Sequence, residues 1–423
     1  METYDLVIIG GGWAGFNAAL EAKKLEKKVC LIECSQIGGT CLNQGCIPTK
    51  VLTNFAKKTS GGLSQGLSLF KKEKENTVST LKNGMEFMLK SQKIDFIRGT
   101  AKIISQDKVL IKEEKEEIGA KFILIATGSR PKDLPFLKFD HKRILSSDDI
   151  LELDSLPGNL LIVGGGVIGC EFACALNKLG SKVTIAEILD RLVFMFDKDI
   201  SQKLEQVFKK LAITVNTGYD IKDKDLSSYD KILLCVGREV NFNELFESKA
   251  GVETDKNGFI RVDDKLKTSV SRIYAAGDCT GGLQLAHVAS YEGRMAVNNM
   301  FGKPRSVDYS AVPSSVFTNP ELAQVGMNQE EARNKVKNTK IIKKFFLSVG
   351  MAHIIKETDG FLKLIIDSDN NTILGAGIIG PQATELINTL TVAIKYKLTL
   401  DDLKDLIFAH PSISEIFTET IQS

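Results

Sequence analysis

Apolar and polar positions alternate along this chain in a pattern that changes period several times. Asp5-Leu-Val-Ile-Ile9 is a short, nearly continuous apolar run that ends in glycines, which predicts a strand. Phe16, Ala19, Leu20, Ala22 and Leu25 then recur at helical spacing, and Lys28-Val-Cys-Leu-Ile32 predicts a second strand. The same order restarts at Asn159, with Leu160-Leu-Ile-Val163, a helical stretch, and Lys182-Val-Thr-Ile-Ala186. Between the two copies, residues 51–95 carry a helical period interrupted at Gly61-Gly62 and at the charged run Lys71–Glu75, which reads as a solvated face or a loop. Residues 96–126 alternate strand-like segments, Phe96-Ile97, Val109–Ile111 and Phe122–Ala126, with polar turns. Beyond Ser306 the composition is strand-rich: Val312–Glu321 and Phe361–Ile366 read as strands, and Ile378–Glu385 leads into an apolar helix.

At 423 residues, two or three domains are expected. Hydrophobic content of 43% and charged content of 26% are ordinary for a globular protein, and a formal net charge of +2 gives no reason to expect nucleic acid. No apolar stretch approaches the roughly 20 residues of a membrane span, so no membrane partner is expected. The first apolar run, Leu6–Ile9, is too short for a signal segment. Eight cysteines in so long a chain are not a secreted disulfide framework. The simplest reading is a cytoplasmic, bacterial protein, with an organellar chain freed of its transit peptide as the alternative.

Both strand–helix–strand units carry the glycine spacing that dinucleotides require. Gly10, Gly12 and Gly15 form G-x-G-x-x-G, and Glu33 follows 18 residues after Gly15; Gly164, Gly166 and Gly169 repeat the motif, and Glu187 again follows 18 residues on. The glycines let the backbone approach a pyrophosphate, the helix N-terminus stabilises its charge, and the acid accepts a ribose hydroxyl. A lone motif is a tight turn as readily as a site; with strand, helix, strand and acid in place, twice, two dinucleotide sites are expected.

Cys41 and Cys46 stand five positions apart in Gly38–Lys50. On a regular helix such residues lie about 8 Å apart along the axis. A disulfide needs Cα atoms about 4.4–6.8 Å apart, so bridging them demands a distorted turn, with Gly45 and Pro48 as candidate positions. A strained, accessible pair suits redox exchange; two buried free thiols are the plainer alternative. The run Gly38-Gly-Thr-Cys-Leu-Asn-Gln-Gly-Cys-Ile-Pro-Thr-Lys50 resembles the active-site segment of the pyridine nucleotide-disulfide oxidoreductases, nearest to their dihydrolipoamide-oxidising members, and similarity extends from Tyr4 to the C-terminus.

The resemblance implies an α/β protein with two Rossmann-like domains and a C-terminal α+β interface domain. The flavin-binding domain would take residues 1–155 and 270–305, the NAD-binding domain 156–269, and the interface domain 306–423. It implies FAD on the first fingerprint, with Gly39, Thr40 and Lys50, with Thr127 and Gly128 of the A-T-G segment in Ile123–Pro131, and with Arg272–Cys279, where Asp278 would bond the ribityl chain. A helix starting at Leu285-Ala286 would point its N-terminus at the flavin; His287 at that start reads as a structural hydrogen-bonding group. NAD would occupy the second fingerprint, with Gly237. Where NADP-using members carry arginines this chain has Ile188 and Phe194, so Glu187 favours NAD, although Arg191 lies nearby. Residues 213–240 leave little room for the family's extra strands, and an arginine expected near Val349–Met351 is not in the sequence.

His410-Pro411…Glu415 matches the family's C-terminal motif, and its plainer reading is a surface turn. A thiol of ordinary pKa ~8.5 needs a base, and a histidine near ~6.5 held by a carboxylate supplies one. The resemblance implies that His410, contributed by the partner of a homodimer and oriented by Glu415, deprotonates a dihydrolipoyl thiol that attacks Cys41, while Cys46 faces the flavin. Lys50 and Glu171 would pair near the flavin, their alternative being helix surface charges. The substrate would be a lipoyl domain of a 2-oxo acid dehydrogenase complex or the glycine cleavage H protein, with NAD⁺ reduced. Cys170 and Cys174 form C-x3-C with no nearby histidine, so no metal site is expected; Cys30, Cys34, Cys235 and Cys279 read as small apolar residues. The rivals are a mercuric or other NAD(P)H-dependent disulfide reductase of the family, and a catalytically silent assembly subunit.

Overall fold

The first apolar run is a strand because it has neighbours on both sides. In the computed structural model, which describes residues 2–59, 67–242, 245–247 and 250–421, the strand spans Thr3–Ile9, and Leu6, Val7 and Ile8 are wholly buried. It pairs in parallel with Val29–Glu33 on one side and Glu116–Ile125 on the other; Asp95–Arg98 lies outside the former and Ile273–Ala275 outside the latter. Glu116–Ile125 is long enough to serve twice. Its first residues pair antiparallel with Lys108–Ile111, which pairs with Ala101–Ser105. Ala101–Ser105 was not expected: only Ala101 and Ile103 of it are buried, an alternation too short to stand out locally.

The chain forms two compact units. The first comprises Met1–Val51, Ser68–Lys132 and Gly237–Val307; the second comprises Leu52–Leu67, Asp133–Val236 and Asp308–Ser423. In the first, the charged run Lys71–Glu75 is part of the helix Ser68–Ser91 rather than a loop, and Lys74 is buried. Gly61-Gly62 lies outside the described residues.

The second unit contains two sheets. One is parallel, with Asn159–Val163 between Lys182–Ala186 and Lys231–Leu234, and with Thr214–Asn216 and Ile144–Leu145 at its edges. From Thr214–Asn216 the chain reaches Lys231–Leu234 through turns alone, so the short 213–240 segment does lack intervening strands. The other sheet is antiparallel, in the order Ser314–Val316, Glu321–Gly326, Ile373–Gly380, Phe361–Asp367, Thr339–Phe345, with helix Ala383–Lys395 packed on it. The expected strand over Val312–Glu321 is the short strand Ser314–Val316 followed by a turn at Asn319-Pro320 into Glu321–Gly326, with which it pairs, Val316 opposite Leu322. Thr339–Phe345 and most of Ile373–Gly380 were not anticipated.

A buried charge cluster ties the antiparallel sheet to helix Lys198–Lys210. Lys363, 1% exposed at mid-strand, sits 2.8 Å from Asp199 Oδ1 and 3.2 Å from Gln329 Oε1. It makes an ion pair at 2.7 Å with Asp197 Oδ2, without hydrogen-bond alignment. Burial pushes the Asp199 carboxyl up, but bonds from Lys343 and Lys363 outweigh it and hold the group below the usual carboxylate range. Its contribution is therefore complete above the unfolded pKa of about 3.9 and is lost as pH falls through the lower folded value. Lys363→Ala leaves Asp197 buried without its cation. It is expected to cost about 3–5 kcal/mol, read as a lower urea midpoint at neutral pH, with the deficit shrinking in acid as Asp199 protonates.

Candidate active site

Each glycine turn is closed by the carboxylate that ends the following strand. Gly11 N donates to Glu33 Oε2 at 2.6 Å while Ser35 N donates to Oε1 at 2.7 Å. In the second copy Gly165 N donates to Glu187 Oε2 at 2.5 Å and Leu189 N to Oε1 at 2.7 Å. Both carboxylates are buried, and each oxygen keeps a lone pair for a ligand hydroxyl. The last glycine of each turn has no room for a side chain. A Cβ on Gly15 would lie 1.9 Å from Gly10 O, and one on Gly169 would lie 2.0 Å from Gly164 O. A Cβ on Gly166 meets nothing within 4 Å, and on Gly12 only Gly39 Cα at 3.9 Å, so these positions face open space.

The cysteine pair lies where one helix stops and another starts. Cys41 is in the short helix Gly39–Asn43, and Cys46 is the first residue of Cys46–Lys58. Gly45 makes the break: a Cβ there would sit 2.9 Å from Thr40 O and 3.2 Å from Cys41 Cα. Pro48 distorts nothing. The first intrahelical bond runs from Thr49 N to Gly45 O, so Pro48 falls in the first turn, where no N–H partner is needed. Asn43 Nδ2 holds the approach by donating to Ile37 O and Gly39 O. Cys46 is exposed and Cys41 less so. A hydrogen bond with Cys46, and then burial, push the Cys41 thiol well above its usual range. Cys46 stands at a helix N-terminus, which favours a thiolate.

The residues expected around a flavin converge in the first unit. Thr127 and Gly128, the latter at φ 72°, follow the long strand, and Asp278 follows Ile273–Ala275. Asp278 accepts a 2.5 Å hydrogen bond from Ser129 Oγ; Arg238 donates to Ser129 Oγ at 2.6 Å and to Ser129 O at 2.8 Å, and its guanidinium lies 3.9 Å from Asp278. Glu292, 3% exposed, accepts from Gly277 N at 2.6 Å and fixes the turn before Asp278. Thr40 Oγ1 reaches Ser129 O at 3.5 Å. Sequence reading missed Ser129, Arg238 and Glu292, because Arg238 and Glu292 act from segments remote in sequence. Helix Ala286–Phe301 starts after Leu285, as expected.

His410 and Glu415 form a pair. His410 Nδ1 lies 2.7 Å from Glu415 Oε1, and Ser412 N donates to Oε2 at 3.0 Å. A carboxylate only accepts, so Nδ1 carries the hydrogen, and in the neutral ring Nε2 is the nitrogen with the lone pair. The imidazole is 79% exposed, three residues after the exposed Ile407. The bond with His410, then that from Ser412 N, hold the Glu415 carboxyl below its usual range.

Glu171 is no surface charge: it is 2% exposed and accepts from Phe317 N at 2.9 Å. Lys50 lies half-buried on Cys46–Lys58, in the other compact unit. Arg191 stacks on the Phe194 ring at 3.9 Å, donates to Phe194 O, and pairs with Asp190. Gly237 adopts φ 107°. Burial pushes the Cys30 and Cys279 thiols up to about 12 and raises those of Cys170, Cys174 and Cys235, which makes them inert. Cys34 departs from expectation, since it is exposed. Among the described residues no cluster of three metal-ligating side chains occurs, and no helix is long and apolar enough to cross a membrane.

FAD and NAD fit these turns. The helices Trp13–Lys24, Val167–Leu179 and Ala286–Phe301 begin after Gly12, Gly166 and Leu285, none with a side-chain cap, whereas Asn328 and Thr399 cap their helices with full capping boxes. Long, uncapped N-termini behind open glycines suit phosphate groups. The buried Thr127 Oγ1 has no partner, as suits a hydroxyl facing a polar ligand. Fold and turns thus define a protein with two dinucleotide-binding sheets and a thiol pair beside the first glycine turn.

Comparison with known proteins agrees. Residues 4–293 match the family described as pyridine nucleotide-disulphide oxidoreductase, and residues 312–421 match its dimerisation domain. A dihydrolipoyl dehydrogenase of Chlamydia pneumoniae is 37% identical, covering 99% of this chain and 96% of that protein; one of Bacillus subtilis is 35% identical over 98% and 97%. The solved structure of the HOCl-induced flavoprotein disulfide reductase RclA from Escherichia coli superposes with a TM-score of 0.91 at 31% identity, covering 99% of each chain. The chain belongs to the pyridine nucleotide-disulphide oxidoreductase family, and it is a flavoprotein oxidoreductase that binds FAD and NAD(H).

The His410 bond to Glu415 has a direct readout. In a side-chain carboxyl NMR titration, His410→Ala is expected to raise the Glu415 midpoint toward the ordinary value of about 4.3. An unchanged midpoint would mean that Ser412 N alone sets it.

Proposed function

We propose that the protein is a dihydrolipoyl dehydrogenase of the cytoplasm: it oxidises protein-bound dihydrolipoyl groups to the cyclic disulfide and reduces NAD⁺. The observation that carries this reading is the His410–Glu415 pair, an exposed imidazole with one ring nitrogen held by a carboxylate, in a chain that also holds a distorted thiol pair. The dimerisation domain supports a homodimer in which His410 of one subunit serves the cysteines of the other. The substrate would be a lipoyl domain of a 2-oxo acid dehydrogenase complex or the glycine cleavage H protein, in keeping with the names of the relatives.

In the oxidised enzyme Cys41 and Cys46 form a disulfide. His410 Nε2 takes the proton of one substrate thiol, and Glu415 holds the resulting imidazolium. The substrate sulfur attacks Cys41 Sγ, and the electron pair of the broken S–S bond leaves on Cys46. Cys46 is the better leaving group because a helix N-terminus stabilises its thiolate. The imidazolium passes its proton to solvent, and His410 then takes the proton of the second substrate thiol; the second sulfur attacks the first, the substrate disulfide closes, and the electron pair of the broken mixed disulfide leaves on Cys41. Bound FAD supplies the two-electron relay from the cysteine pair to NAD⁺. Glu33 and its glycine turn, with Gly39, Thr40, Lys50, Thr127, Gly128, Asp278 and the Leu285–Ala286 helix start, would hold FAD. Gly164, Gly166, Gly169, Glu187 and Gly237 would hold NAD. Lys50 and Glu171 would pair near the flavin. We assign flavin binding to residues 1–155 and 270–305, NAD binding to 156–269, and the dimer interface to 306–423, with two departures at the edges: Ile144–Leu145 joins the second parallel sheet, and Arg238–Val240 pairs with Ser129–Pro131 of the first unit. Arg191, occupied by Phe194 and Asp190, supports NAD over NADP.

One alternative has its own observation: the likeness to a flavoprotein disulfide reductase at 31% identity. Anaerobic titration of the holoenzyme with dihydrolipoamide, followed at the visible absorbance of the flavin, separates the two. Reduction by dihydrolipoamide that NAD⁺ reverses, lost in Cys46→Ser, supports the dehydrogenase. Reduction by NADH or NADPH alone would favour the reductase, and a protein without flavin would favour a silent assembly subunit. His410→Gln is expected to lower the turnover of dihydrolipoamide by about 10²–10⁴-fold.

The twin turns predict separable defects. Gly15→Ala is expected to purify with depleted flavin. Gly169→Ala is expected to keep its flavin but to bind NADH at least about tenfold more weakly, since overpacking of this kind costs about 1–3 kcal/mol. Equal flavin loss in both variants would contradict the assignment of the two turns.

A further inference from the structure

Trp13 is the only tryptophan in the chain. It opens the helix Trp13–Lys24 immediately after the first glycine turn, and its ring packs at the edge of the first unit's core. Its indole Nε1 is shut off from solvent and has no hydrogen-bond partner. An indole N–H can only donate, so a buried one without an acceptor carries an uncompensated desolvation cost.

The fold delivers this donor to the cysteine pair. The backbones of Gly12 and Gly39 approach so closely that a Cβ on Gly39 would lie 2.9 Å from Gly12 Cα. Trp13 is the residue after Gly12, and Cys41 lies two residues after Gly39. The nearby indole favours the ionised form of Cys41, against the hydrogen bond with Cys46 and the burial that push this thiol up. A neutral thiol is a weak acceptor and a thiolate a strong one, so this donor gains most from the sulfur when the sulfur is ionised.

We propose that Trp13 is a positioning residue for the disulfide chemistry: its indole N–H donates to Cys41 Sγ whenever that sulfur carries negative charge. The inference rests on the proposed function only in taking Cys41 as the sulfur that substrate attacks. When the second substrate sulfur displaces Cys41, the S–S bond of the mixed disulfide breaks and its electron pair stays on Cys41 Sγ. Trp13 holds that charge until the proton carried by the imidazolium of His410 reaches it. The donor lowers the cost of releasing the otherwise less favourable of the two thiolates.

The test uses the holoenzyme reduced with dithiothreitol, so it does not depend on the identity of the physiological substrate. Iodoacetamide labelling of Cys41, located by peptide fragmentation, is followed against pH in the wild type, Trp13→Phe and Trp13→His. Trp13→Phe is expected to raise the apparent pKa of Cys41 by about one unit, which makes labelling about tenfold slower below it. Trp13→His, which keeps a ring N–H, is expected to recover part of the loss. An unchanged profile in Trp13→Phe would overturn the proposal, and so would loss of flavin with an unchanged profile, which would assign the N–H to the dinucleotide. Should Trp13→Phe fail to fold, the wild type decides. As the sole tryptophan, its emission in the reduced enzyme must titrate with the Cys41 labelling profile, and emission indifferent to that titration would overturn the assignment. Failure of dihydrolipoamide to reduce the enzyme would remove the proposed substrate and leave this test intact.

Discussion

The structure depends on a short reach made twice, from the carboxylate at the end of one strand to the middle N–H of the glycine turn beside it. Without Glu33 the buried N–H of Gly11 would have no acceptor, and without Glu187 neither would that of Gly165. With them, each turn is fixed in a shape where the last glycine touches the carbonyl of the first and the helix points its uncapped N–H groups outward. The same carboxylate oxygens have lone pairs left for a sugar hydroxyl. Protein architecture and ligand recognition therefore share one group at each site.

The chemistry depends on asymmetry within pairs. Cys41 and Cys46 are the same residue type in one loop, yet one is held as a thiol by its neighbour and by burial, and the other heads a thirteen-residue helix. The break at Gly45 is what permits both placements at once. His410 is asymmetric in the same sense. Glu415 occupies one ring nitrogen and so defines the other as the base.

What could be read from the sequence was what is local. The strand–glycine–helix–acid units, the cysteine segment and His410…Glu415 each declare themselves within a few tens of residues, and the structure arranges them as the local rules require. What stayed hidden depends on partners far along the chain. Ser129 and Arg238 become part of the site only when Arg238–Val240 folds back on Ser129–Pro131. Lys363 reads as an ordinary strand lysine until Asp197 and Asp199 meet it from a helix. Glu171 reads as a helix charge until the backbone of Phe317 caps it. Ala101–Ser105 is too short and too diluted by polar residues to show, although the sheet it joins is continuous with the first dinucleotide turn.

That continuity limits where the gene can gain or lose codons. Glu116–Ile125 enters as the third strand of an antiparallel meander and leaves as a central strand of the parallel sheet, and Ala126 O, directly after it, lies 2.2 Å from where a Cβ of Gly10 would stand. Losing one residue inside it would invert the inward and outward positions of one end of the strand relative to the other, within one continuous sheet, and displace the wall of the turn. The Lys112–Lys115 turn that precedes it has no such double duty. Length variation between related genes should collect in that turn, and the same place should accept an inserted tag while the ten residues after it stay fixed in number.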